Sequence, residues 1–478
     1  MLILKFVKSI LVKLMNKYFK YFTILLILVS LISCKSEKKL THVYFGGKII
    51  HPKSSHVILY SMDQAIDTFY LDKDGKFVGK IKLASDGLYY FSHGYENQHV
   101  YLEAGDSLLL RLNTWNFDES LVFVGKGAER NNILIDCFLE NEKESFSFHE
   151  NNKLAPKEFK QKIESSLKSK LKLFDEYVEN HPEETEDYKN ILKVALTYPL
   201  YARMEKYPIL NAKYAESDHL PKINDSFYEY RKVAKIDNDS LIYYPPYSQY
   251  VRNYLYNETY SLGHPPMKKN YSSKFTFDLL TIIDKKISFE KTKNAFLKQT
   301  VISHFYNKSS CILNEETFEK FFKLSTNEED KIQIKKLMND TQSVPILEKL
   351  QDFGINDYSN VSKSVYEIIQ QKNALLFFWS PEYVSESYIV SRMNFLSTNF
   401  LNIIFIPVKI DGKKSDRLES LDIKSQYYLP DNSKANEFLT SKMPRCILVD
   451  KNGKVMNGFA SISSSNLSDY LEILNKVK

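Results

Sequence analysis

The 478-residue, 55.9 kDa chain is too long for one ordinary domain, and with 43% hydrophobic and 26% charged residues it is built to fold rather than to stay disordered. Fourteen Gly and fifteen Pro exclude a collagen-like or linker-like architecture, and four Cys exclude a disulfide-stapled scaffold. The net charge of +6 is concentrated at the start, where Lys5, Lys8, Lys13, Lys17 and Lys20 lie without an acid in residues 1–33, so the rest is nearly neutral and nucleic acid is not an expected partner.

Met15-Asn-Lys-Tyr-Phe-Lys20 is a short basic segment, and Tyr21 to Leu31 is an almost unbroken apolar one, too short for a comfortable membrane span. Leu31-Ile-Ser-Cys34 follows. This order resembles the signal peptide and lipobox of bacterial lipoproteins. The resemblance implies residues 1–33 as a signal peptide, lipid on Cys34, a polar tether over 34–40, and a body held to a membrane of the cell envelope, facing the periplasm or the cell surface. Met15 alone would open a signal of ordinary length, so a start at either Met1 or Met15 fits. An uncleaved membrane anchor, with Cys34 a bystander, is the alternative.

Residues 41–126 read as short strands rich in β-branched and aromatic residues: 43–50, 56–61, 65–71, 76–83, 88–93, 100–102, 107–112 and 121–124. Asp72-Lys-Asp-Gly75, Ser85-Asp-Gly87 and Glu103-Ala-Gly-Asp106 punctuate them as turns. Regular spacing of this kind predicts a small β-sandwich or barrel.

Residues 127–345 change to Lys/Glu-rich stretches with apolar residues at helical spacing, as in 159–178, 188–207, 275–287, 289–305 and 318–324. Residues 346–478 alternate strand and helix. Asn373 to Trp379 is a buried strand, and Ser380-Pro381-Glu382 reads as a helix start, the helix running to about Asn399. A second strand covers 402–410, and a helix lies within 432–439. A hairpin joins 445–450 to 454–460 across Lys451-Asn-Gly453, and 466–477 closes as a helix. The predicted fold class is multidomain α+β: a β-sandwich-like domain, an all-helical domain and an α/β domain.

Leu375-Leu-Phe-Phe-Trp-Ser380 resembles the strand leading into a thioredoxin active site. Lys442-Met-Pro-Arg-Cys-Ile-Leu-Val-Asp-Lys-Asn-Gly-Lys454 resembles the cis-proline strand and hairpin of TlpA-type thioredoxin-like proteins. Tyr101-Leu-Glu-Ala-Gly-Asp-Ser107 and Phe123-Val-Gly-Lys-Gly-Ala-Glu-Arg-Asn-Asn132 resemble a small β domain that precedes such domains in many bacterial lipoproteins. The family's chemistry needs two cysteines, separated by two residues, at a helix N-terminus, where the dipole favours the thiolate. Those positions fall on Tyr383 and Glu386, and no Cys lies between Cys311 and Cys446. Pro444 matches the family's cis-proline, so the resemblance implies binding by Trp379, Met443 and Pro444.

Cys446, two positions beyond Pro444, is the candidate for a single-cysteine mechanism; a small buried hydrophobe is the simpler reading for it, as for Cys137 and Cys311. Asp72 to Gly75 and Asp450 to Gly453 look like calcium loops but lack the twelfth-position Glu, with Leu83 and Ser461 in its place, so they read as hairpin turns. Tyr247, Tyr250 and Tyr254 share one helical face, an aromatic platform for sugars or, more simply, a packing face. Glu382 and Glu386 read as partners of a helix dipole rather than an acid–base pair. No metal-ligand spacing and no phosphate-binding glycine loop occurs, so neither a metal nor another cofactor is expected. The expected function is a redox-inactive protein- or peptide-binding module of the envelope, with an unidentified protein or peptide as partner. A TlpA-type thiol-disulfide oxidoreductase working through one cysteine is the alternative, and glycan binding a third.

Overall fold

The computed structural model describes residues 42–476 apart from 63, 95, 267–271, 309–314, 381–382, 411–417, 419–425 and 465. The signal segment, Cys34, Cys311, Pro381 and Glu382 therefore lie outside the described residues.

Eight strands form the first domain: β1 (His42–Ile50), β2 (His56–Ser61), β3 (Gln64–Tyr70), β4 (Lys76–Lys82), β5 (Gly87–His93), β6 (Glu96–Leu102), β7 (Ser107–Asn113) and β8 (Val122–Lys126). They make two four-stranded sheets, ordered β4-β1-β7-β8 and β3-β2-β5-β6, as the regular turn spacing predicts. The alternation of β7 is typical: Leu108, Leu110 and Leu112 point inward while Ser107, Leu109 and Arg111 stay exposed. Phe45 centres the core, its ring 5.7 to 5.9 Å from those of Phe69, Phe77 and Phe91. In the β3–β4 turn the Asp72 carboxylate accepts the N–H groups of Asp74 and Lys76, and Gly75 takes a φ of 73°. Asp450 does the same for Asn452 and Lys454, with Gly453 at 79°. Both segments are hairpin turns.

Among the described residues eight α-helices follow: α1 (Ala128–Asn151), α2 (Pro156–Asn180), α3 (Glu186–Tyr214), α4 (Pro245–Tyr260), α5 (Ser273–Lys286), α6 (Glu290–Lys308), α7 (Glu315–Leu324) and α8 (Glu328–Gln342). The start of α1 is stapled to the sandwich. Asn131 exchanges two hydrogen bonds with the main chain of Tyr101, at 2.7 and 2.9 Å, and Asn132 does so with Phe123, at 2.8 and 3.0 Å. Arg130 reaches Glu103 at 2.6 Å and Glu184 at 2.8 Å. Tyr247, Tyr250 and Tyr254 are buried. The Tyr250 hydroxyl donates to the Ala234 carbonyl, and that of Tyr247 accepts the Asn238 N–H, so this face is core rather than platform.

The third domain carries β9 (Gly354–Asp357), β10 (Ser362–Ser364), α9 (Val365–Ile369), β11 (Asn373–Trp379), α10 (Glu386–Asn399), β12 (Ile403–Lys409), β13 (Tyr427–Tyr428), β14 (Arg445–Val449), β15 (Val455–Ala460) and α11 (Asn466–Lys476). Its seven-stranded sheet runs β10-β9-β13-β12-β11-β14-β15. β11 lies parallel to β12 and antiparallel to β14, which gives a mixed α/β arrangement. All of β11 is buried, with Leu375, Phe377 and Trp379 packed towards α10 and α11, and Leu376 and Phe378 in the opposite layer.

Two local expectations need correction. The helix after β11 starts at Glu386, not beside Ser380. Ser380 instead closes a turn, its carbonyl accepting the N–H groups of Tyr383 and Val384, and Ser385 supplies the N-cap by accepting the Tyr388 N–H. The helix expected within 432–439 is one 3-10 turn, Lys434–Glu437, capped by Ser433. One apolar cluster runs from Tyr101 of the sandwich through the helices to Met443 and Phe459 of the α/β domain.

Candidate functional site

The end of β11, the start of α10 and the approach to β14 converge as the sheet topology requires, since β11 sits between β12 and β14. Ligands of open α/β sheets gather at such carboxyl strand ends. A groove of about 520 Å³ opens here. Phe377 lies at its base, Tyr383, Val384 and Tyr388 form one wall, and Met443 and Pro444 form the other. No charged side chain is among the described residues lining it.

Tyr383 and Tyr388 remain 44% and 38% exposed, so aromatic surface is presented to the groove. The Tyr388 hydroxyl pairs with Ser463 Oγ at 2.7 Å, which ties α10 to the loop after β15. Glu386 is the first residue of α10.

The proline side of the groove is built by two domains. Tyr306, on α6, donates its hydroxyl to the Pro444 carbonyl at 2.9 Å. Burial pushes its phenol well above the ordinary range, so it is a neutral donor. Asp340, on α8, is 1% exposed. One of its oxygens accepts the Thr440 N–H and hydroxyl, and the other those of Ser441, at 2.6 to 2.9 Å. Lys442 then turns the chain with φ at 57°, in the left-handed region. Arg445, fully buried, donates to the Asp340 and Phe438 carbonyls, both at 2.7 Å.

The Met443–Pro444 bond is trans, as are all peptide bonds among the described residues. The chain reversal falls instead on Lys442, while Met443 is buried among the helices. Trp379, an expected binding residue, does not line the groove. It is 2% exposed and packs in the layer of Leu375 and Phe377, with the Lys409 ammonium 5.6 Å from its ring. Met443 and Pro444 do line it.

Cys446 pairs with Phe377 across the β11–β14 ladder, is fully buried, and has its thiol pushed far up by desolvation. Burial also raises the Cys137 thiol, to about 12. Neither is a ready thiolate. Among the described residues no group of three His, Cys, Asp or Glu could hold a metal ion, and no helix is long and apolar enough to cross a membrane.

Sequence reasoning missed Tyr306, Asp340, Tyr388 and Arg445 as parts of this site. Three of them lie outside the two motifs. Only Arg445 carried a local signal, a charge beside an apolar strand run.

No family model matches the chain, and no curated protein does. Solved structures do. A thioredoxin-like protein from Bacteroides caccae is 17% identical, with 53% of this chain and 97% of that one covered and a TM-score of 0.30. A thiol:disulfide interchange protein from a Bacteroides species is 20% identical over 29% of this chain and 95% of its own, TM-score 0.23. The thioredoxin domain of a thiol-disulfide oxidoreductase from Bacteroides vulgatus is 21% identical, over 24% and 88%, TM-score 0.20.

Proposed function

We propose that this chain is a lipid-anchored protein of the cell envelope whose thioredoxin-like domain performs no redox step and binds a protein or peptide. One observation carries the reading: an uncharged, aromatic-walled groove of about 520 Å³ stands where the chemistry of thiol exchange would need a cysteine, and Tyr383 occupies that place. Exchange requires an accessible thiolate attacking a disulfide sulfur. Cys446, the nearest thiol in sequence, faces the core with its thiol form favoured. Apolar walls with a few hydroxyl groups suit an extended apolar segment, which Tyr383 and Tyr388 can cover with rigid rings. The anchor rests on the basic segment, the apolar segment and Cys34 in the sequence.

The test is reduction of insulin by the chain from Lys35 onward, with dithiothreitol as electron source, beside a Cys137/Cys311/Cys446→Ser triple variant. The expected rate equals the dithiothreitol background for both. A rate above background that the triple variant loses would overturn the reading and place thiol exchange on a lone cysteine. For binding, a benzophenone amino acid installed at position 383 should crosslink to envelope proteins on illumination; the same group at an exposed, distant position such as 395 should not give the same products.

A further inference from the structure

We propose that the outer face of the β4-β1-β7-β8 sheet docks on an anionic phospholipid surface. Registers place its outward side chains in three rows across the four strands. The central row is Val78, Gly46, Leu109 and Val124. Its three side chains are 69%, 42% and 57% exposed, in that order. One flanking row is Lys76, Lys48, Arg111 and Val122; the other is Lys80, Tyr44, Ser107 and Lys126.

Lys76, Lys48 and Arg111 thus stand directly opposite one another on three adjacent strands. Like charges so placed repel and weaken a sheet. No Asp or Glu occurs in any of the four strands. The acids beside these strands lie at their ends: Asp72 and Asp74 in the β3–β4 turn, where Asp72 faces Lys76 and Lys48, buried Asp106 next to Ser107, which faces Lys126, and Glu119 and Glu129 on either side of β8. The face is therefore an exposed apolar strip between cationic rows, on a sheet that natural sequences would be expected to salt with both signs.

An anionic bilayer matches both features. Cations meet the headgroups, and the apolar row with Tyr44 reaches the boundary with the acyl chains. The chain also enters this sheet directly: β1 starts at His42, eight positions after Cys34. A tether of that length spans at most about 28 Å, which holds the sandwich close to the bilayer. In this last respect the proposal rests on the lipid-anchor reading above.

The test is flotation of the chain from Lys35 onward, which keeps every described residue, with vesicles of phosphatidylcholine alone or with about 30% phosphatidylglycerol, at about 0.05 M and about 0.3 M salt. Binding is expected to the anionic vesicles only and to weaken at the higher salt. Each cation at such a surface is worth about a fivefold factor, so Lys48→Gln/Arg111→Gln should lower partitioning by about 25-fold or more. Val78→Glu/Val124→Glu should abolish it. Circular dichroism verifies that each variant is folded, and vesicle protection of Lys48 and Lys76 from acetylation in the unmodified sequence reads the same face without any substitution. No binding, equal binding to neutral vesicles, unaffected variants, or no protection would overturn the proposal. Binding to polyglutamate but not to vesicles would also overturn it, in favour of an acidic protein. The mass of the N-terminal species from envelopes tests the Cys34 anchor separately, so either idea can fail alone.

Discussion

The hydroxyl of Tyr306 donates to the carbonyl of Pro444 at 2.9 Å, across 138 positions of sequence and between two domains. It places a side chain of the helical domain on main chain that, in the resemblance the sequence carries, would lie open to an extended partner. Met443 is drawn into the helical core on the same side. The groove is thus left with side-chain walls, chiefly Tyr383, Tyr388 and Val384, and with little free strand edge beside Pro444.

Replacing Tyr306 with Phe removes the donor and keeps the ring against Phe459, whose centroid is 5.6 Å away. A carbonyl stripped of its partner in a half-buried position costs about 1–2 kcal/mol. The expected outcome is a lower urea midpoint with an unchanged slope. An unchanged midpoint would mean that water replaces the hydroxyl at no cost.

Asp340→Asn should be more damaging. The carboxylate serves four donors on Thr440 and Ser441, and an amide nitrogen in place of either oxygen would face an N–H and a hydroxyl. A loss of about 2–4 kcal/mol is expected, from charged hydrogen bonds broken in a buried site. A double-mutant cycle with Ser441→Ala should be clearly non-additive, because both changes break one network. Additive losses would show that Asp340 acts elsewhere.

These residues mark the limit of what the chain revealed by itself. The eight strands of the sandwich were legible because Leu108, Leu110 and Leu112 alternate with exposed partners, and because Asp72 and Gly75 announce a turn. β11 was legible as an unbroken apolar run. β9, β10 and β13 were not, since four, three and two residues carry no period. The start of α10 was misplaced because Ser380 and Ser385 are both plausible caps, and local sequence does not say which turn closes first. The groove's proline wall was illegible for a different reason: Tyr306 and Asp340 come from helices whose packing against Pro444 and Ser441 is set by tertiary contacts, with no local pattern.

Thiol reactivity separates a buried cysteine from a catalytic one. In a Cys311→Ser background, Ellman's reagent at pH 8 should find neither Cys137 nor Cys446 in the folded chain from Lys35 onward, and both after denaturation. The same burial makes stability fall with alkali. Cys137 has its folded value near 12, above an unfolded value of about 8.5, so its contribution is complete below about pH 8.5 and is lost as pH rises towards 12. The slope should approach about 1.4 kcal/mol per pH unit, and Cys137→Ala should remove this part of it. Prompt labelling of Cys446 in the folded chain would reopen the single-cysteine mechanism.

Acid should loosen the join between the sandwich and the helices through His99. Its ring nitrogen Nε2 lies 2.9 Å from the Tyr243 carbonyl, and its ring meets that of Tyr244 edge-on at 5.4 Å. Burial pushes its pKa down to about 4. The unfolded chain takes up this proton near pH 6.5 and the folded chain only near pH 4, so the unfolded state binds more protons between the two. Stability contributed by the neutral ring is present above about pH 6.5 and is lost as pH falls towards 4, by up to about 3 kcal/mol. Urea midpoints followed from pH 7 to pH 4 should decline, and His99→Gln, which retains a donor but cannot titrate, should flatten the decline. His93, buried between the Lys53 N–H and the His56 carbonyl, is lowered for the same reason and should leave a residual slope. If His99→Gln followed the unmodified chain at every pH, the imidazole would be titrating alike in both states, and the acid response would belong to groups elsewhere.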